Sequence, residues 1–319
     1  MLALMGLLLL TGVIVSRIAN AQTIWFGPHS GHEGAADVLS LFEPDAPWQK
    51  AASRTRGFQI SDELIYDGSY GDGELRKMFN DIRRRGFDLV VEIGAVTGQP
   101  GKCGYNVEGY GLPESLRGDA ARMKTLGAEP RYFVMDQPLY SGHVFDRDGA
   151  KVGCQLPISE LASDVAKKLR QARDVFPKVR FGDEEPLTAF NKDTWLADLT
   201  TWFDAYESAT GDKLAFFRLD LEWNRPWRDR IPPLKKLLQE KGIPLQVIYN
   251  GTGRGTSDEE WIESAVTNFQ SYESEGRGPP DVAVFQYWTP HPSHVLPETD
   301  ARTATWLVNR YLEWRQGRQ

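Results

Sequence analysis

The chain has 319 residues, with 37 basic against 44 acidic side chains and a formal net charge of −7. That balance argues against nucleic acid and anionic membrane surfaces as partners. The length fits one large α/β domain or two small ones, and ten tryptophans are enough to supply both buried rings and exposed platforms for sugar rings.

The chain opens on an almost wholly apolar run from Met1 to Val15, followed by Arg17 and then Ala19-Asn20-Ala21 before Gln22. This reads as a secretory signal cleaved after Ala21, which places the mature chain, 22–319, outside the cell or in a periplasm. The alternative is an uncleaved N-terminal membrane anchor, although the run is short for a span of about 20 residues. No other segment is apolar enough to cross a bilayer, so no membrane contact is expected after cleavage.

Strands and amphipathic helices then alternate. The expected strands are Thr23–Phe26, Phe58–Ser61, Asp88–Ile93, Arg131–Met135, Lys178–Phe181, Leu214–Leu221, Leu245–Tyr249 and Val282–Tyr287. Helical spacing of apolar residues marks Glu74–Arg85, Ile158–Val175, Trp195–Tyr206, Arg230–Lys241, Asp258–Tyr272 and Thr303–Trp314. Ser257-Asp258-Glu259-Glu260 is a capping-box pattern, and Gly242 follows the helix ending at Lys241. Eight strands alternating with helices predict a (β/α)8 TIM barrel, α/β in class, as one domain over 22–319. An open doubly wound sheet is the competing layout. The barrel is preferred because no G-x-G-x-x-G or Walker pattern follows any strand, so no nucleotide and no other cofactor is signalled. Cys103 and Cys154 lie in glycine-rich loops after strands three and four, and an exported protein is expected to pair them.

Polar residues recur where the apolar runs stop. The clearest case is the stretch Leu214-Ala215-Phe216-Phe217-Arg218-Leu219-Asp220-Leu221-Glu222-Trp223-Asn224. Period two puts Phe217, Leu219, Leu221 and Trp223 on one face and Arg218, Asp220 and Glu222 on the other. The other strand ends carry Glu92, Asp136-Gln137, Asp183-Glu184-Glu185, Asn250-Gly251 and Gln286-Tyr287-Trp288. In a barrel all of these face the C-terminal mouth. Any single Asp or Glu after a strand can equally be the cap of the next helix. Parity makes Glu184 the inward acid of its trio and sets Arg180 and Arg218 one layer deeper, where they would neutralise the acids above.

A cluster of carboxylates with aromatics suits glycoside hydrolysis, which needs one protonated and one ionised carboxyl group. Glu184, Asp220, Glu222 and Asp136 are the catalytic candidates. Trp25, His29, Glu92, Asn250, Gln286, Tyr287 and Trp288 are the substrate-binding ones, and the partner expected is a polysaccharide or oligosaccharide. On these residues the chain resembles a (β/α)8-barrel glycoside hydrolase in the broad sense. It departs from the best-known retaining pattern, in which Asn-Glu ends strand four and Glu ends strand seven. Here those strands end in Asp136-Gln137 and Asn250-Gly251, so the resemblance assigns neither the acid nor the nucleophile. Two other readings stand beside it. Pro28-His29-Ser30-Gly31-His32 and Pro290-His291-Pro292-Ser293-His294 could bring four imidazoles together in a metal-dependent hydrolase. A non-catalytic sugar-binding barrel would need the aromatics but not several acids. Asn250-Gly251-Thr252 matches a glycosylation sequon, but its place at a strand end favours a structural or substrate-binding asparagine.

Overall fold

The computed structural model describes residues 22–190, 193–252, 257–274 and 277–318. The proposed signal, 1–21, lies outside the described residues. Eight parallel strands close into a barrel: β1 (Thr23–Gly27), β2 (Thr55–Ser61), β3 (Asp88–Ile93), β4 (Pro130–Asp136), β5 (Arg180–Pro186), β6 (Phe217–Asp220), β7 (Leu245–Ile248) and β8 (Val282–Gln286). Each strand pairs with its sequence neighbours, and β1 closes the ring on β8. The helices between them are α1 (Gln49–Arg54), α2 (Asp72–Arg84), α3 (Ser115–Thr125), α4 (Ile158–Val175), α5 (Trp195–Thr210), α6 (Ile231–Lys241), α7 (Asp258–Ser274) and α8 (Ala304–Gln316). The expected single (β/α)8 barrel is therefore present, and the open sheet is not. No helix among the described residues is long and apolar enough to cross a membrane.

Outward strand residues and inward helix residues form one large apolar shell, in which Phe133, Phe181, Leu219, Trp202, Leu234, Phe269 and Tyr311 are all buried. Burying an aliphatic or phenyl side chain contributes roughly 1.5–3 kcal/mol, so this shell carries most of the stability. The barrel interior is a separate, smaller cluster of Trp25, Val90, Val134, Phe216, Ile248 and Val284. Two glycines make room for its large rings. A β-carbon at Gly182 would lie 2.0 Å from the Phe216 ring, and one at Gly57 would lie 2.7 Å from the Trp25 ring. This plug closes the lower half of the barrel and leaves polar side chains above it.

Several boundaries differ from the sequence expectation. Strand β5 runs on through Asp183-Glu184-Glu185 to Pro186, where apolarity alone had ended it at Phe181. Strand β6 stops at Asp220, two residues before Glu222. Helix α3 was not expected, because only Leu116, Ala120 and Met123 of it are buried. At α7, Ser257 does accept the Glu260 N–H at 3.2 Å, and Gly242 ends α6 in the left-handed region at φ +68°.

Cys103 and Cys154 are bonded, with 5.1 Å between their α-carbons, and link the excursion after β3 to the one after β4. Between them Tyr110 holds both segments. Its hydroxyl donates to the Ser141 carbonyl at 3.0 Å and accepts the Cys154 N–H at 2.9 Å. Intact-mass analysis after alkylation without reductant is expected to find neither thiol modified. Two labels on the folded protein would show that the bridge does not form.

Candidate active site

The C-terminal mouth is built in layers. On the plug lies Arg218 of β6, fully buried, its guanidinium 5.4 Å from the Trp25 ring centroid and 5.3 Å from that of Phe216. Its Nη1 donates to Glu184 Oε2 at 3.1 Å, to Gln286 Oε1 at 3.0 Å and to Gln59 Oε1, and its Nε donates to Gln246 Oε1 at 3.0 Å. A guanidinium only donates, so it fixes the orientation of the Gln59 and Gln286 amides. Their oxygens face Arg218 and their NH2 groups face away. Those NH2 groups converge on Glu92 Oε2, at 2.7 Å from Gln59 and 2.5 Å from Gln286. One buried cation thus orders residues from β2, β3, β5, β7 and β8.

The carboxylates stand on and above this layer. Glu184 pairs in register with Arg218 on one side and with Asp136 on the other. Glu92, Glu108, Asp136, Glu184 and Asp220 all line one hollow with His29, Gln137 and Trp288. Burial raises each strand acid, because the charged form loses its water. Glu184 is pushed up to about 7, by burial first and with Arg218 opposing. Glu92 rises to about 8, through burial and then the Glu184 charge. Asp220 reaches about 7, through burial and then the charges of Glu108 and Glu222. Asp136 is held well above the usual carboxylate range by burial and the charges of Glu108, Glu92 and Glu184. The mouth therefore holds protonated and ionised carboxyl groups together near neutral pH, which acid–base chemistry requires.

The parity argument holds for β5. Glu184 faces inward, whereas Asp183 and Glu185 face the helix layer. Asp183 accepts the Trp202 Nε1–H at 2.8 Å, and Glu185 accepts the Leu139 and Tyr140 N–H groups at 2.6 and 3.0 Å. Both are structural. A second hollow adjoins the first and is lined by Glu33, Glu222, Asn250, Thr252 and Trp261. His29, Asp220, Tyr287 and Trp288 border both hollows. Trp288 is 46% exposed there. Asn250 is buried and accepts the Trp223 Nε1–H on Oδ1 at 2.7 Å, which leaves its NH2 for the second hollow.

Several expected residues lie elsewhere. Trp25 belongs to the plug beneath Arg218, 4% exposed, and no substrate can reach it. Arg180 is exposed at the opposite end of β5, over the Tyr132 ring. It is four residues before Glu184, about 13 Å lower at ~3.3 Å per residue, so it does not support the acids. Arg218 alone takes that part. Glu222 leaves the strand face because β6 ends at Asp220. It is exposed at the rim of the second hollow and ion-paired with Arg225. Tyr287 does border both hollows, with its ring against Trp261 at 5.3 Å and its buried hydroxyl without a hydrogen-bond partner among the described residues. The four histidines do not converge. His29 Nδ1 donates to the Thr289 carbonyl at 3.2 Å, His32 lies by the Asp67 carbonyl, His291 donates to Asp258 at 2.6 Å, and His294 is exposed near Asp37. No group of three His, Cys, Asp or Glu side chains among the described residues is spaced to hold a metal ion.

Sequence reading passed over Gln59, Gln246 and Glu108, and named Gln137 at its strand end without giving it a role. The glutamines of β2 and β7 carry a period-two signal, since each is an inward polar residue between two outward apolar ones, Phe58 and Ile60 in β2 and Leu245 and Val247 in β7. Glu108 carries none, because a loop whose course is set by the disulfide brings it to the mouth.

No family model matches the chain, and no curated protein matches it. Solved structures do. Xylanase 10B from Thermotoga maritima superposes with a TM-score of 0.52 at 9% identity, over 94% of this chain and 97% of that one. A glucosidase from Croceicoccus marinus gives 0.49 at 13% identity, over 92% and 68%. A protein named as a candidate phosphonomutase from Burkholderia cenocepacia J2315 gives 0.42 at 11% identity, over 82% and 85%. At such identities the likeness to the xylanase is one of fold: both are closed parallel barrels.

Proposed function

We propose that this chain is an exported carbohydrate-active hydrolase that cleaves glycosidic bonds. The observation that carries the reading is the gathering of Glu92, Asp136, Glu184 and Asp220, from four strands, above one buried arginine and in one hollow. Glu184 is the ionised partner. Its contact with Arg218 favours the carboxylate, against the burial that opposes it. Asp220 is the acid. It borders both hollows, so a sugar chain crossing from one to the other presents its linkage there. The Asp220 carboxyl gives its proton to the glycosidic oxygen as the C1–O bond breaks. Glu184 either attacks C1 or takes a proton from the water that does so. Glu92 and Asp136 flank this pair. Trp288 offers a face on which a sugar ring can stack, and the stretch 1–21 supports export.

The test is a screen of the purified protein against polysaccharides, with products identified by mass spectrometry. Release of oligosaccharides that stops on Asp220→Asn supports the reading, and no cleavage of any glycan counts against it. Trp288→Ala is expected to raise KM about 5- to 100-fold, the ~1–3 kcal/mol of one lost stacking contact, with kcat changed less. An unchanged KM would remove Trp288 from the binding surface.

A further inference from the structure

The two hollows are far more acidic than cleavage requires. Five carboxyl groups, Glu92, Glu108, Asp136, Glu184 and Asp220, reach the first, and Glu33 and Glu222 line the second. Hydrolysis uses two. Among the described residues neither lining includes a lysine or an arginine, although Glu222 at the rim is paired with Arg225 from beside it. Arg218 lies beneath the first hollow, fully buried and bonded to four side chains.

A second observation points to a ligand in the same place. Gln137 follows β4 with φ +36°, a strained conformation for a residue with a β-carbon. Its N–H is tied to the Glu184 carbonyl at 2.8 Å. Its side chain is only 9% exposed and lines the first hollow, and its amide has no hydrogen-bond partner among the described residues. A buried amide left open in this way is suited to a polar ligand group.

Resting on the glycosidase reading, we infer that the substrate is a polycationic glycan, a chain of sugars bearing free amines, whose ammonium groups pair with the surplus carboxylates. A neutral sugar would displace water from these acids without supplying any positive charge to the ionised ones. An ammonium group instead supplies the missing counter-charge, and Trp288 can take the ring face or the cation. The net charge of −7 steers the same kind of chain toward the protein.

The experiment is calorimetric binding of the β-1,4-linked glucosamine hexamer, the N-acetylglucosamine hexamer and xylohexaose, with cleavage followed in parallel. The amine hexamer is expected to bind at least about tenfold more tightly than either neutral chain in about 0.1 M NaCl. That advantage should shrink in about 1 M NaCl, as the screening length falls from ~10 Å to ~3 Å. Glu108→Gln, at an exposed position, should weaken amine binding by about two- to fivefold while leaving the neutral chains unaffected. Equal binding of amine and neutral chains overturns this inference and leaves the glycosidase reading intact. An advantage that salt does not reduce, or one abolished by micromolar calcium, also overturns it. Tight amine binding without cleavage of any glycan supports the charge assignment and sinks hydrolysis instead.

Discussion

Glu184→Gln is expected to lower kcat by about 10²–10⁴-fold or more, the range contributed by a single acid–base or nucleophilic carboxyl group, with the fold retained. The amide keeps the shape of the carboxyl and can still accept a hydrogen bond from Arg218 Nη1 through its oxygen, so the Gln59–Arg218–Gln286 layer need not reorganise. What is lost is the negative charge beside C1. Glu222→Gln provides the contrast. That carboxylate is exposed at the rim and paired with Arg225, so its loss should affect binding rather than kcat. Rates on a cleaved glycan, together with circular dichroism of each variant, decide the matter. If Glu184→Gln turns over at near the parent rate, the catalytic assignment fails. If Glu222→Gln loses as much kcat as Glu184→Gln, the chemistry lies in the second hollow.

The barrel was legible because period-two apolar runs and 3.6-residue helix patterns are local properties, and alternation of the two leaves few folds open. The inward position of Glu184 was legible by the same counting, since β5 keeps its pleat to Pro186. Legibility ended where three-dimensional neighbours decide. Trp25 and Gln286 lie on adjacent paired strands, and both side chains point into the barrel. One is nonetheless plug and the other mouth, because depth along the barrel axis depends on strand stagger, which sequence does not print. Arg180 failed for a reason that counting could have given, since it lies four residues before Glu184 on the same strand, at the far end of the barrel. Glu222 failed because a strand end is set by the last ladder hydrogen bond, and alternation persisted in sequence beyond it. Glu108 needed the path of a loop tied by Cys103–Cys154 and Tyr110.

The acids that make the mouth reactive also weaken the fold, and Asp220→Asn is expected to reveal it. Asp220 is pushed from an ordinary 3.8 up to about 7, by burial first and then by Glu108 and Glu222. In the unfolded chain it returns to the ordinary value. Below pH ~4 both states hold the proton, and the group contributes nothing to the balance. As pH rises toward 7 the unfolded state loses its proton first, so the native state is progressively disfavoured. Above about 7 the penalty is complete. At ~1.4 kcal/mol for each pH unit of difference it amounts to about 2–4 kcal/mol, the lower figure allowing for partial access to solvent. Asparagine cannot ionise and removes that penalty. The variant should therefore match the parent in thermal midpoint at pH 4, exceed it by several degrees at pH 8, and be inactive throughout. Glu92 and Asp136, shifted in the same direction, should behave alike when converted to amides. Midpoints measured by calorimetry across pH 4–8 provide the check. A gain that is already full at pH 4 would come from packing rather than titration. A loss at pH 8 would mean that the Asp220 carboxylate stabilises the native mouth, with a counter-ion the acids themselves have recruited.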